Sequence, residues 1–131
     1  MALITWTENF SVGITQFDDE HKKLINMLNT LHDAMREGKG KSILSSLLTD
    51  LTTYVSTHFS NEEKFMLANN YPNYTTHRKD HVEFTKKISE YTSLHEKGLF
   101  SANQLSTTLR DWLLTHISDA DKKYGDFFKN I

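Results

Sequence analysis

The chain has 131 residues, with 15 basic and 17 acidic side chains and a formal net charge of -2, which is the size of one domain built on one core. Its charges are mixed along the sequence with no basic cluster of the kind that follows a phosphate backbone, so nucleic acid is not an expected partner. Cysteine is absent, which excludes disulfides, thiolate-held zinc and iron-sulfur clusters and leaves nitrogen and oxygen as the strong metal ligands.

From Met1 to Phe10 no basic segment leads into an apolar run, and no later stretch nears the ~20 apolar residues of a membrane span. A soluble cytoplasmic protein is therefore expected. Residues 1–17 read as an arm whose Trp6, Phe10, Val12, Ile14 and Phe17 can pack against the surface of a helical bundle. Helical segments are then predicted over about 18–38, 42–69, 75–97 and 101–123, separated by Pro72 and by Gly38, Gly40 and Gly98, with Gly125 beyond the last. Asp18 or Asp19 is read as the cap of the first, Thr75 or Thr76 of the third. Ser101 with Gln104 fits a capping box for the fourth.

Each segment carries an inward seam with spacings of three and four. The first seam reads His21, Leu24, Leu28, Leu31, Met35, and the second Leu44, Leu48, Leu51, Val55, His58, Glu62, Phe65. The third reads His77, His81, Phe84, Ile88, Tyr91, and the fourth Leu105, Leu109, Trp112, His116. Strand-like alternation is absent. Short connections require antiparallel neighbours, so the fold class is all-α, an up-down-up-down antiparallel four-helix bundle with an N-terminal arm.

The polar seam positions lie at the start of the first and third helices and at the end of the second and fourth, which in an antiparallel bundle is one level. A lone histidine on an apolar face is usually a core residue satisfied by a hydrogen bond. Five at one level, with Glu62 and Asp121, are another matter: unpaired ring N–H groups would each cost ~1 to 3 kcal/mol, and buried carboxyls would need pKa values raised by up to ~3 to 5 units to stay neutral. A cation removes both penalties. The candidate ligands are thus His21, His58, Glu62, His77, His81, His116 and Asp121. His58 and Glu62, like His77 and His81, are four apart and share a helix face. His116 and Asp121 are five apart, which turns the second ~140° from the first in a regular α-helix, so Asp121 needs a widened, π-type turn.

Zinc takes about four protein groups and an octahedral ion six, so a set of this size points to two ions bridged by carboxylates. Histidine-rich, thiol-free coordination suits iron. If both carboxylates bridge and one oxygen atom joins the ions, a single position of the octahedral pair stays open, where a diatomic gas can bind. His32 and His95 lie at the opposite end and read as structural or surface residues. Asp18 reads as a cap rather than as an acceptor behind His21, and Lys22-Lys23, Lys86-Lys87 and Lys122-Lys123 as solvated faces.

These residues resemble the hemerythrin family, and in length and N-terminal pattern its single-domain bacteriohemerythrins. The matching pieces are Trp6, Ser11-Val12-Gly13-Ile14 with Asp18-Asp19-Glu20-His21, His58-Phe59-Ser60-Asn61-Glu62, His77-Arg78-Lys79-Asp80-His81 and His116-Ile117-Ser118-Asp119-Ala120-Asp121. The resemblance implies a non-haem di-iron centre, oxo- or hydroxo-bridged, that binds dioxygen reversibly. It implies that His77, His81 and His116 hold the saturated iron, His21 and His58 the second, with Glu62 and Asp121 between them and dioxygen end-on at the second iron. It also implies an apolar dioxygen pocket, matched here by Leu24, Phe59, Trp112, Leu113 and Ile117, positions that equally suit bundle core.

The expected function is oxygen carriage, storage or delivery by a non-enzymatic monomer, with dioxygen as partner and an oxygen-consuming protein as recipient. The alternatives are a di-iron enzyme (oxidase, peroxidase or nitric-oxide-reducing protein), an oxygen or iron sensor, and a zinc-stabilised bundle. Ferritin-like di-iron enzymes use Glu-x-x-His pairs, and none occurs here. A signalling output module is not part of the 131 residues, which disfavours sensing by fusion.

Overall fold

A computed structural model describes residues 4–129; residues 1–3, at the head of the expected arm, and 130–131 lie outside the described part. Helix α1 spans Thr15–Arg36, α2 Gly40–Ala68, α3 Tyr74–Glu96 and α4 Ala102–Trp112. The last continues without a break through a π-helical stretch, Leu113–Asp121, into α5, Lys122–Lys129. The architecture is the expected all-α four-helix bundle, with no strand among the described residues. None of these helices is long and apolar enough to cross a membrane.

Local signals account for the ends. Gly38 (φ 74°) and Gly98 (φ 72°) turn the chain left-handed just past α1 and α3, and Asn70 (φ 57°) does so past α2. At each end an N–H beyond the turn reaches back to a helix carbonyl: Lys39 to Ala34, Tyr71 to Met66 and Leu99 to Leu94. Ser101 and Gln104 form the full capping box on α4. The other expected caps are not formed. Asn73 precedes α3, ahead of Thr75 and Thr76, without a side-chain capping bond, and α1 begins at Thr15, three residues before Asp18. The Asp18 carboxylate instead accepts from the Val12 N–H (2.8 Å) and the Ser11 hydroxyl (2.6 Å), pinning the arm to the first turn of α1.

The fourth segment runs further than its predicted end near Lys123. Gly125 is no helix stop; it is buried inside α5, where a Cβ would lie 2.3 Å from the Val12 carbonyl oxygen. Glycine there lets the arm cross the helix at backbone contact. Two apolar clusters result. The larger fills the bundle with the predicted seams, from Leu24 to Leu31, Leu44 to Phe59, Phe84 with Ile88, and Leu105 to Ile117. The smaller joins Val12 of the arm, Phe17, Met66, Tyr71 and Tyr124, with Ile14, Phe65 and Phe128 against it. Trp6 and Phe10 of the arm pack on the larger cluster.

Candidate metal centre

The polar layer lies between those two clusters, because along each helix the ligand candidates are flanked by members of both. His21 sits between Phe17 and Leu24, and Glu62 between Phe59 and Met66. The layer is thus sealed from the arm side as well, which the seams alone did not indicate. All seven candidates are buried, none more than 4% exposed. His58 with Glu62 and His77 with His81 project from α2 and α3 as four-residue spacing requires. His116 and Asp121 come from the π-helical stretch. Its i→i+5 bonding brings the fifth residue back toward the face of the first. There the Ser118 hydroxyl also donates to the Leu113 carbonyl five residues back, at 3.0 Å.

The donor atoms form two overlapping groups: Glu62, His77, His81, His116 and Asp121, and His21, His58, Glu62 and Asp121, each with its atoms within 4.8 Å of one another. Glu62 and Asp121 belong to both, and each divides its oxygens. Asp121 Oδ1 lies 2.8 Å from His77 Nε2 and 3.0 Å from His116 Nε2, while Oδ2 lies 3.2 Å from His21 Nε2. Glu62 Oε1 lies 3.1 Å from His81 Nε2, while Oε2 lies 3.4 Å from both His21 Nε2 and His58 Nε2.

Close as they are, these atoms do not satisfy one another. Nε2 of His21, His77, His81 and His116, Glu62 Oε1 and both Asp121 oxygens are buried without a hydrogen bond. Carboxylate oxygens and unprotonated ring nitrogens are all acceptors, so a proton or a metal ion placed among them resolves the contact. The donor set therefore fits metal ions, and without them protons take that place. Burial opposes charge on His21, yet Asp121 and Glu62 beside its ring hold its pKa up to about 10. His58 and His77 likewise rise against burial to about 9, His58 through Glu62 and Glu20, and His77 through Asp121 and Glu62. Burial would lift Glu62, but His58 and His21 hold it well below the usual carboxylate range. Burial and Glu62 both push Asp121 up, and His116 and His21 more than offset them.

Behind the layer stand acids that the seam reading missed. Glu20 Oε1 lies 2.5 Å from His58 Nδ1, Glu63 Oε2 3.0 Å from His81 Nδ1, and Asp80 Oδ2 3.5 Å from His116 Nδ1. An N–H aimed at Glu20 and at Glu63 leaves Nε2 of His58 and of His81 as the free ligand atom, whereas Asp80 faces His116 Nδ1 without closing a hydrogen bond. The three follow one rule. Each adjoins a ligand on its own helix (His21, Glu62 and His81 respectively) and serves a ligand on the next helix, since one residue of offset turns ~100° toward the neighbour. Tyr124 was also missed; fully buried, it donates its hydroxyl to Glu62 Oε2. Tyr54 donates to the Glu20 carbonyl at 2.7 Å.

Of the matched pocket positions, Leu24, Phe59, Leu113 and Ile117 are buried and Trp112 half-buried, all in or against the larger cluster. Phe59 stacks on His81 and Trp112 on His116, with centroids 3.9 Å apart in both pairs. His95 bonds to Ser45 at 2.7 Å, far from the layer, in keeping with a structural role.

A four-helix bundle that buries two histidine groups joined by shared carboxylates belongs to the class of bundles with an internal donor set able to bind metal. The hemerythrin HHE cation binding domain matches residues 12–128, and the chain belongs to that family. It is 35% identical to a bacteriohemerythrin of Methylococcus capsulatus over 127 residues, covering 95% of this chain and 96% of that one. Myohemerythrin-1 of Phascolopsis gouldii is 33% identical over 120 residues, 91% and 89% of the two chains. A solved wild-type hemerythrin structure, 33% identical, superimposes with a TM-score of 0.86 over 95% of this chain and 97% of that one.

Proposed function

We propose that the buried layer holds two iron ions and that the protein binds dioxygen reversibly there, for carriage, storage or delivery. The observation that carries this reading is the division of oxygens, Glu62 and Asp121 each aiming one at either histidine group. A pair of ferrous ions, once bound, supplies two electrons and an open coordination position to a diatomic gas.

His77, His81 and His116 would hold one ion, His21 and His58 the other, with Glu62 and Asp121 spanning both. The His21 and His58 side has one histidine fewer and would leave room there for a gas ligand. Glu20 and Glu63 fix which nitrogens of His58 and His81 face inward, and Tyr124 orients Glu62. Leu24, Phe59, Trp112, Leu113 and Ile117 would wall the gas site. Their carbon surfaces exclude water and the side chains offer no acid, which slows proton delivery and irreversible oxidation. That lining favours binding over catalysis, and no acid–base group stands among these five. All seven donors come from one chain, so the proposed centre is complete without a residue from a second copy.

The test is the iron content and visible spectrum of the reduced protein before air, in air and after oxygen removal. Two irons per chain and a charge-transfer band that appears and disappears support the reading. Irreversible conversion with oxidation of an added substrate would make it a di-iron enzyme, and a colourless protein with one zinc would overturn both.

A further inference from the structure

The ligand layer is buried and flanked by apolar clusters on both sides, so a hydrated cation can reach it only between helices. Two cavities open on the seam between α3 and the π-helical stretch. The larger, about 410 Å³, reaches His116 past Asp80, Glu83, Lys87 and Asp119. Its neighbour, about 360 Å³, reaches His77 past Asp80, Asp119 and Lys123. Asp80, Asp119 and the small Ala120 are common to both. A third cavity, between α2 and α3, reaches His81, but its rim sets Lys64, Arg78 and Lys86 against Glu63.

Charge separates these routes, since a cleft lined by one sign concentrates ions of the other. Acids prevail on the α3 seam, with Asp119 also paired to Lys123 at 3.5 Å, whereas cations prevail over His81. A second observation marks the seam. His116 is 4% exposed, yet its Nδ1 makes no hydrogen bond and faces Asp80 Oδ2 at 3.5 Å, while its Nε2 faces Asp121 Oδ1 at 3.0 Å. One ring thus spans from the surface cavity to the centre.

We propose that the seam between α3 and the π-helical stretch is the port through which divalent cations enter and leave the centre. Asp80, with Asp119 and Glu83, gathers the ion at the surface, and His116 and His77 receive it. The inference rests on the proposal that the layer binds divalent metal. Its test is anaerobic mixing of ferrous ion with metal-free protein, followed by intrinsic fluorescence because Trp112 stacks on His116. The double variant Asp80→Asn with Asp119→Asn is compared with wild type and with Asp50→Asn, which removes an exposed charge elsewhere on α2.

The double variant is expected to take up iron about tenfold more slowly, with weaker dependence on ionic strength, and to release it to a chelator more slowly as well. Asp50→Asn is expected to match wild type, and final occupancy to be equal in all three. Unchanged uptake with faster release would mean that Asp80 only orients His116, overturning the port. Equal slowing by Asp50→Asn would reduce the effect to net charge and overturn it too. A wild-type protein that takes up no ferrous ion overturns both the port and the metal reading, whereas slow uptake by the variant alone leaves the latter intact.

Discussion

Replacing the acids behind the histidines one at a time should weaken metal binding in an order that the structure sets. Glu20 lies 2.5 Å from His58 Nδ1 with 16% of its side chain exposed; Glu63 lies 3.0 Å from His81 Nδ1 at 21%; Asp80 lies 3.5 Å from His116 Nδ1 at 42% and closes no hydrogen bond. A carboxylate on the far nitrogen raises the basicity of the ligating one and fixes the ring, and its loss commonly costs ~10- to 100-fold in metal affinity. Glu20→Leu should reach the upper end, about 2.8 kcal/mol, because its contact is shortest and most buried and it also accepts from Asn61 at 3.2 Å. Glu63→Leu should fall near tenfold, about 1.4 kcal/mol, since water and Arg78 (3.5 Å from Glu63) already share its charge. Asp80→Leu should shift the equilibrium constant least of the three. Competition titration against a chelator of known affinity, at fixed pH and with folding checked by circular dichroism, gives each constant. Equal losses at all three positions, or the largest at Asp80, would refute the link between contact geometry and ligand strength.

Tyr124→Phe deletes the buried hydroxyl on Glu62 and should destabilise the protein by about 1.5–3 kcal/mol in urea denaturation, the range for hydrogen bonds to charged groups; a change below roughly 0.5 kcal/mol by the same measurement, the scatter of surface substitutions, would contradict it. Gly125→Ala puts a methyl 2.3 Å from the Val12 carbonyl oxygen and should cost about 1–3 kcal/mol, with the arm the first segment to gain protease sensitivity. In the metal-free protein, His21, His58 and His77 have folded pKa values raised from 6.5 to about 10, 9 and 9. Stability from raised histidines is complete below the unfolded pKa and is lost as pH climbs through the folded one, so the melting temperature of chelator-treated protein should fall between pH 7 and pH 10. A flat or rising profile over that window would show that protons do not occupy the layer. Stripping the metal at pH 7 should itself lower the melting temperature, because assembly of the centre contributes folding energy.

The bundle and the burial at one level of six of the seven candidate ligands are legible in the sequence because both rest on side-chain periodicity. A histidine that interrupts a leucine seam, as His21 does before Leu24 and His58 after Val55, carries its own statement of direction. Partners off the seam carry no such mark. Glu20, Glu63 and Asp80 look like ordinary surface acids until the neighbouring helix is in place, although each stands directly beside a ligand in sequence, and that adjacency was the available signal. Tyr124 and Gly125 were hidden for a different reason. Gly125 suggested the end of a helix, and only the path of the arm, with Val12 against that backbone, shows why a side chain cannot be there.

The π-helical stretch ties these points together. In a continuous α-helix, the residue a turn beyond His116 on its face would be Ala120, which has nothing to offer a cation, and Asp121 would point ~140° away. The wider turn of Leu113–Asp121 moves Asp121 into the layer and leaves Ala120 on the wall of both surface cavities. The same shift sets the register of everything after it. Tyr124 and Gly125, three and four residues past Asp121, share its face, so one widened turn delivers the carboxylate common to both donor groups, the hydroxyl that meets Glu62 and the bare backbone that receives the arm. Deleting one residue between His116 and Asp121 would restore four-residue spacing on paper. It would also leave the helix free to relax to α geometry, and without the widened turn the order of contacts from Leu113 to Lys129 has no reason to be kept. The expected result is a bundle that keeps its helix content and loses affinity for both ions, measurable by circular dichroism beside metal analysis. Full binding by such a deletion would show that the π-helical geometry follows from the extra residue alone and is not required by the centre.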